Sequence, residues 1–152
     1  MKLNLTDKVA YQTTTYVHLG EGFVASYALD GNIETLSHTQ LINAGAVQYW
    51  WVDMAQPYRV AYVLVKQRGS TKVRFVNVDF YLKISLPPPS AGPCDNITDA
   101  SVWTIPPSTE VYNSTSCNGL GQYLTFRKTG TDAQSYLSIA ELEIYVEIVP
   151  GE

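Results

Sequence analysis

The chain has 152 residues, of which 45% are apolar and 16% are charged. This length suits a single domain with a sizeable core, and the composition lies outside the range of disordered chains. The net charge of −4 and the lack of any Lys/Arg run argue against nucleic acid, because phosphate binding needs a concentrated basic surface. No apolar run approaches the roughly 20 residues of a membrane span, so membrane insertion is not expected.

The predicted elements are almost all strands. Eleven tyrosines and three tryptophans favour pleated, half-buried surfaces. In chain order the candidate strands are Val9–Tyr16, Trp50–Met54, Ala61–Gln67, Val76–Ile84, Tyr123–Arg127 and Glu141–Ile148, with at most one helical turn at Val24–Leu29. Turn signals such as Asp30-Gly31-Asn32 separate them. We therefore predict one all-β domain, a β-sandwich over residues 1–149, with 150–152 as the start of a linker.

Two of these strands alternate strictly between apolar and polar residues, which is typical of a strand with one face in the core. Trp50 and Trp51 are adjacent on a strand and must face opposite sides, so one of them belongs to the core. The predicted buried set in the alternating strands is Val76, Val78, Phe80, Leu82, Ile84, Leu142, Ile144 and Val146.

Glycosylation sequons suggest an extracellular origin. They begin at Asn4, Asn96 and Asn113, and the last two lie in a Pro/Ser/Thr/Asn-rich stretch that we interpret as exposed loop. No signal peptide is recognisable, so we interpret the chain as a module of a longer, multidomain or repeated, secreted or cell-surface protein. Cys94 and Cys117 bracket the stretch; a disulfide would persist outside the cell, and two free buried thiols are the alternative.

No pattern for catalysis is present. The chain lacks a nucleophile motif, a phosphate-binding glycine loop and zinc-like Cys/His spacing. Glu141, Glu143 and Glu147 share one strand face, but such rows are more often a solvated surface than an acid/base pair. We expect that the chain is not an enzyme.

Several segments carry a resemblance to a known family. In order they are Lys8–Tyr16, Ala28–Asn32, His38–Thr39, Tyr49–Met54, Lys66–Gly69 and Ala140–Ile144, and they span nearly the whole chain. Together they resemble the F-type lectins, or fucolectins, of the discoidin-like (coagulation factor V/VIII C-type) superfamily. The resemblance implies a β-sandwich jelly roll that binds fucose or another terminal sugar on glycans.

The resemblance also implies the site residues. His38, Arg68 and Arg74 match the family's sugar ligands, Arg74 only with a one-residue deletion; each could instead be an ordinary surface residue. A structural calcium ion would be held, largely by backbone carbonyls, by Tyr27, Asp30, Asn32, Ser37, Ala140 and Glu141; a metal-free Asp-Gly-Asn turn is the alternative. A Cys94–Cys117 disulfide is implied as well.

One departure from the family bears on the sugar. Family members have an acidic residue and two adjacent cysteines after the first arginine, whereas this chain has Ser70, Thr71 and Lys72. The apolar platform for the fucose methyl group would then come from Phe75, Tyr49 or Tyr81. The alternative function is a cell-surface adhesion or receptor module that binds protein, or a lipid headgroup, after losing the sugar site. Leu41-Ile42 is the only apolar pair in a predicted loop.

Overall fold

The computed structural model describes residues 1–32, 34–40, 47–66, 78–83, 101–104, 111–113, 119–129 and 137–147. Of the predicted site residues, Arg68, Arg74, Cys94, Asn96 and Cys117 lie outside these ranges. So do Val76, Ile84, Leu41 and Ile42.

The described residues form strands and one short 3₁₀ helix, and every strand pair is antiparallel. The strands are β1 Val9–Gln12, β2 Val17–His18, β3 Glu21–Gly22, β4 Ser37–His38, β5 Val47–Lys66, β6 Val78–Lys83, β7 Ser101–Thr104, β8 Val111–Asn113, β9 Gly119–Thr129, β10 Ser138–Ile139 and β11 Glu141–Val146. The 3₁₀ helix spans Ala25–Leu29, where the sequence predicts at most one helical turn.

The main sheet has the order β1-β5-β9-β6-β7, and β11 and β8 pair with the C-terminal half of β5. Two short pairs, β4 with β10 and β2 with β3, complete the described part. This arrangement confirms the predicted all-β class. The stretch bracketed by Cys94 and Cys117 was predicted to be loop, but it contributes strands β7 and β8. The prediction missed them because the many Ser, Thr and Asn residues there obscure short β-prone segments such as Val111-Tyr112.

Strand β5 joins two segments that the sequence analysis treated as separate strands. Its pairing with β9 shifts register between Asp53 and Tyr58, and Ala55 has φ 72° there. The N-terminal half pairs with β1, and the C-terminal half pairs with β11. A bulge of this kind bends a strand without ending it. One continuous strand therefore contributes buried residues on both sides of the bulge.

The core includes the predicted alternating faces. Val78, Phe80 and Leu82 are buried, as are all three apolar residues of β11, Leu142, Ile144 and Val146. Complete burial of each such side chain stabilises the fold by about 1.5–3 kcal/mol. The register predicted for both strands is confirmed for these residues.

The tryptophan pair follows the alternation as well. Trp50 is fully buried, its Nε1 donates to the Ala25 carbonyl at 3.0 Å, and its ring meets Phe126 edge-on. Trp51 faces the other side of the sheet and stacks on Tyr11 with a centroid distance of 5.1 Å. The hydrogen bond from Trp50 fastens the 3₁₀ helix to the core.

Short strands bring separate segments of the chain together around His38. The His38 amide donates to the Phe23 carbonyl at 3.1 Å, and the His38 carbonyl accepts from the Tyr16 amide at 2.9 Å. His38 also pairs with Ser138 in β10. Residues from three separate parts of the sequence therefore converge on β4.

Candidate functional site

His38 lies in strand β4 and is buried, with 7% of its surface exposed. This burial argues against the alternative that His38 is an ordinary surface residue. Ser37, His38 and Thr39 are polar, but β4 is held on both sides by backbone hydrogen bonds that local sequence patterns do not reveal. His18, the chain's other histidine, is exposed.

The orientation of the His38 ring is fixed by its neighbours. Its Nδ1 is within hydrogen-bond distance of the Thr39 carbonyl, which can only accept, so Nδ1 carries the proton. In the neutral ring Nε2 is then an acceptor. The ring also packs against Tyr16 with a centroid distance of 4.7 Å and against Phe23 at 6.3 Å. This combination gives a directed polar group beside an apolar surface.

Tyr16 and Phe23 form an aromatic pair beside His38 that the sequence analysis missed. Their rings stack at 5.7 Å and are half-buried. The signal was available: the two residues flank a six-residue segment with Gly20 at its turn, as the ends of a hairpin do. Of the aromatics suggested instead, Tyr49 lies in β5, and Phe75 and the Tyr81 side chain fall outside the described residues.

Gln12 fastens the loops around this aromatic pair. Its Nε2 donates to the Phe23 carbonyl at 2.9 Å and to Thr15 Oγ1 at 3.0 Å. Its Oε1 is buried and accepts no hydrogen bond. A buried acceptor without a partner costs stability, and such groups are common where a ligand completes the hydrogen bonding.

Strand β5 ends at Lys66, beside the strand pair that carries His38. The Lys66 carbonyl, at the end of β5, accepts from the Ala140 amide at 2.9 Å. Ala140 directly follows β10, which pairs with His38 in β4. Lys66 is therefore tied to the strand pair that carries His38, and Arg68 follows it by two residues.

The loop proposed to hold calcium is organised around Asp30 and Asn32. The Asn32 amide donates to Asp30 Oδ1 at 2.9 Å, and the Glu34 amide donates to Asn32 Oδ1 at 3.0 Å. Gly31 between them has φ 75°, which a residue with a side chain adopts only at a cost. Tyr27, which precedes this loop, lies in the 3₁₀ helix.

Glu141 faces this loop from β11. Its Oε2 is buried with no hydrogen-bond partner. Burial, and after it the charge of Asp30, raises the pKa of Glu141 from 4.5 to about 7. Two carboxylates that repel each other, one with an unsatisfied oxygen, fit a cation.

The remaining predicted ligands lie beside Glu141. Ala140 precedes it directly, and Ser37 pairs with Ile139 in β10 and donates from Oγ to the Ile139 carbonyl at 3.2 Å. An open groove of about 310 Å³, lined by residues 2–6, Leu29, Gly31 and 141–143, gives access to Glu141. No cluster of three or more His, Cys, Asp or Glu side chains suited to a metal occurs within the described ranges.

Glu141 and Glu143 in β11 and Glu147 just after it do not form the uniform solvated face that was predicted. Only Glu147 is exposed. Glu143 bonds to Lys2 at 2.6 Å, and this hydrogen bond lowers the pKa of Glu143. The prediction was wrong because the N-terminal segment and the Asp30 loop pack beside β11, which strand periodicity alone does not show.

Of the predicted modification sites, Asn4 is exposed, and its Oδ1 accepts from the Thr6 amide at 3.1 Å and from Thr6 Oγ1 at 2.7 Å. Asn113 ends strand β8. Glycosylation at Asn4, Asn96 and Asn113 and the Cys94–Cys117 disulfide stay predictions.

No family model matches the chain, and no curated protein matches it. Among the described residues, no helix is long and apolar enough to span a membrane.

Solved structures do resemble the chain over nearly its whole length. A fucolectin from striped bass (Morone saxatilis) serum has a TM-score of 0.73 and 25% identity, and the match covers 98% of this chain and 48% of that one. A Streptococcus pneumoniae fucose-binding module has a TM-score of 0.70 and 17% identity, with 97% and 99% coverage. A family 32 carbohydrate-binding module from Clostridium perfringens, in complex with galactose, has a TM-score of 0.68 and 18% identity, with 94% and 96% coverage.

These similarities confirm the resemblance to F-type lectins and the discoidin-like β-sandwich fold. The chain spans about half the length of the striped bass protein. The similar structures are lectins and binding modules, in agreement with the prediction that the chain is not an enzyme.

Proposed function

We propose that the chain is an extracellular carbohydrate-recognition module that binds a terminal sugar, with fucose as the first candidate. The observation that carries the proposal is His38, whose ring is oriented by Thr39 and packed against Tyr16 and Phe23. Sugar recognition needs such a combination, because hydroxyl groups require fixed donors and acceptors and the C–H face requires an apolar surface. Fucose-binding and galactose-binding structures share the fold, so the fold alone does not select the sugar.

In this proposal three side chains bind the sugar. His38 accepts one hydrogen bond from a sugar hydroxyl at Nε2. Arg68 and Arg74 donate to ring or hydroxyl oxygens. Arginine suits this role because its rigid guanidinium keeps its charge and several donors. The tie between Lys66 and the strand pair of His38 supports the participation of Arg68. Tyr16 and Phe23 would replace the apolar platform that the family's adjacent cysteines provide.

A structural calcium ion is the second part of the proposal. The unsatisfied Oε2 of Glu141 and the charge of Asp30 support it, and Asn32 and the carbonyls of Tyr27, Ser37 and Ala140 would add oxygens. Bound calcium supplies positive charge that offsets the two carboxylates. Because Ser37 lies in β4 and Ala140 directly follows β10, the ion would stiffen the strand pair that carries His38.

The expected partners are glycans, or cell-surface glycoproteins that carry them, and a single shallow sugar site binds weakly. Repetition of the module in a longer secreted protein would raise the effective affinity through multivalency.

A glycan array with calcium present tests the proposal. We expect retention of glycans that end in fucose or another common terminal sugar, and loss of retention in Arg68→Ala. Loss of one charged donor to a hydroxyl costs about 1.5–3 kcal/mol, or a roughly 10- to 150-fold weaker affinity.

The matched control is Arg59→Ala. Arg59 is exposed in β5, seven residues before Lys66, and its only described ion pair is a 3.7 Å contact with Glu147. It should bind like the wild type. A blank array with folded wild-type protein would instead favour the adhesion module, and equal binding by Arg68→Ala would place the sugar elsewhere.

A further inference from the structure

One buried polar side chain interrupts the apolar core face of β5. Residues 48, 50, 52 and 54 alternate onto the same side of the sheet, and all four are fully buried. Three of them are Trp50, Val52 and Met54, but the first is Gln48. Burial of an amide is costly unless its hydrogen bonds are made, so a glutamine at this position needs a specific reason.

The Gln48 amide joins two separate segments of the chain. Its Oε1 accepts from Thr13 Oγ1 at 2.7 Å and from Thr14 Oγ1 at 3.2 Å, and its Nε2 donates to the Gln40 carbonyl at 2.8 Å. Thr14 Oγ1 also accepts from the Gln40 amide at 2.8 Å. Gln40 lies outside β4, and two side chains from other elements therefore hold both of its backbone polar groups.

These two segments carry the two sides of the contact between Tyr16 and His38. Tyr16 follows Thr14 by two residues, and Gln40 follows His38 by two residues. The Tyr16 amide donates to the His38 carbonyl at 2.9 Å, and the two rings pack with a centroid distance of 4.7 Å. A slip of one segment against the other would move the Tyr16 ring relative to the imidazole. Directional hydrogen bonds in a buried network resist such a slip better than apolar packing does.

We propose that Gln48 is a positioning residue for sugar binding, which sets the placement of the Tyr16 ring relative to the His38 imidazole. The inference rests on the proposed function. Gln48 is fully buried, so it acts through these two residues and does not contact the sugar. An apolar side chain at position 48 would fill the space but would leave the two segments free to shift.

Gln48→Met tests the inference, because it keeps the length of the side chain and removes the hydrogen bonds to Thr13, Thr14 and Gln40. Well below its melting temperature, the folded variant should bind the terminal sugar about tenfold more weakly. In NMR spectra without sugar the His38 ring-proton signals should move, because their ring-current shift depends on the placement of Tyr16. His18→Ala identifies these signals, since the chain has only two histidines.

Gln122→Met is the matched control. Gln122 is half-buried in β9, and its Nε2 donates to Asp53 Oδ1 at 3.0 Å, beside the bulge of β5. Loss of this bond should lower the melting temperature but leave the sugar affinity and the His38 signals unchanged. An equal loss of affinity in both glutamine variants would overturn the inference, because general destabilisation would then explain it.

Thr14→Val disturbs the same network without changing Gln48. It removes one hydroxyl and keeps the shape of the side chain, and it should weaken sugar binding severalfold. Thr125→Val makes the same change at a fully buried hydroxyl that has no hydrogen-bond partner in the described part of the chain, and it should bind like the wild type. Thr14→Val added to Gln48→Met should weaken binding little further, because both substitutions disrupt one network.

Wild-type affinity in folded Gln48→Met would overturn the inference, as would full additivity of the two substitutions. If Gln48→Met does not fold, wild-type affinity in Thr14→Val has the same meaning. Wild-type protein that binds no terminal sugar would overturn the proposed function itself. The sugar-free NMR spectra still decide the role of Gln48 in that case, because unchanged His38 signals in Gln48→Met would contradict it.

Discussion

Trp50→Ala is expected to lower the free energy of unfolding by about 4–5 kcal/mol, a large share of the total stability of a domain of this size. Trp50 is fully buried, so the truncation leaves a cavity against Phe126. It also leaves the Ala25 carbonyl without its donor. Urea unfolding monitored by circular dichroism measures the loss.

A matched pair separates packing from hydrogen bonding. Trp50→Phe and Trp51→Phe make the same change at adjacent buried residues, but only the Trp50 Nε1 has an acceptor, whereas the Trp51 Nε1 is buried without one. Trp50→Phe should therefore be the more destabilising by about 1–2 kcal/mol. Equal losses would mean that the bond to Ala25 contributes nothing to the folded state.

Glu141→Gln is expected to change stability in opposite directions with and without calcium. In excess chelator the variant should be more stable than the wild type at pH 8, because the buried, unsatisfied carboxylate repelled by Asp30 becomes neutral. Partial exposure to solvent screens the repulsion, so the gain should be about 1–2 kcal/mol. With calcium the order should reverse, because the wild type gains about 2.7 kcal/mol at a concentration 100 times Kd and the variant lacks a ligand.

The same carboxyl makes the chelated wild type sensitive to pH. The pKa of Glu141 is raised from 4.5 to about 7 in the folded chain. A raised carboxyl pKa means that the folded state holds the proton more tightly, so this contribution is present below pH 4.5 and is lost as pH rises through 7. Urea unfolding at pH 5 and pH 8 should show that loss in the wild type but not in Glu141→Gln.

Glu147→Gln is the control for both measurements. Glu147 makes the same chemical change possible at an exposed position directly after β11. It should match the wild type in each condition. A Glu141→Gln variant that is less stable than the wild type in chelator, or a wild-type melting temperature unaffected by calcium, would argue against the ion.

The sequence predicted part of the core and the all-β class because alternation is a local signal. Val78, Phe80 and Leu82 are buried in the predicted register, as are Leu142, Ile144 and Val146. The continuity of β5 was not predictable in this way. Ala55-Gln56-Pro57 resembles a turn, and only pairing with a distant strand, β9, keeps it within one strand.

The candidate site depended on long-range contacts that pattern analysis does not contain. The resemblance selected His38, but only pairing with β10 and the bonds to Tyr16 and Phe23 show that it is buried among aromatics. Roles for Arg68 and Arg74 stay predictions, since both residues lie outside the described ranges.

Calorimetric titration of fucose, or of the terminal sugar that the array selects, tests the central claim most directly. The protein should be titrated in calcium as wild type, His38→Ala and His18→Ala, each checked for folding by its melting curve. The two histidines are the only ones in the chain, so the pair is matched in chemistry. We predict saturable one-site binding by the wild type and His18→Ala, and an affinity lowered about tenfold or more in His38→Ala. Binding by folded His38→Ala equal to that of the wild type, or no heat with any terminal sugar, would contradict the account.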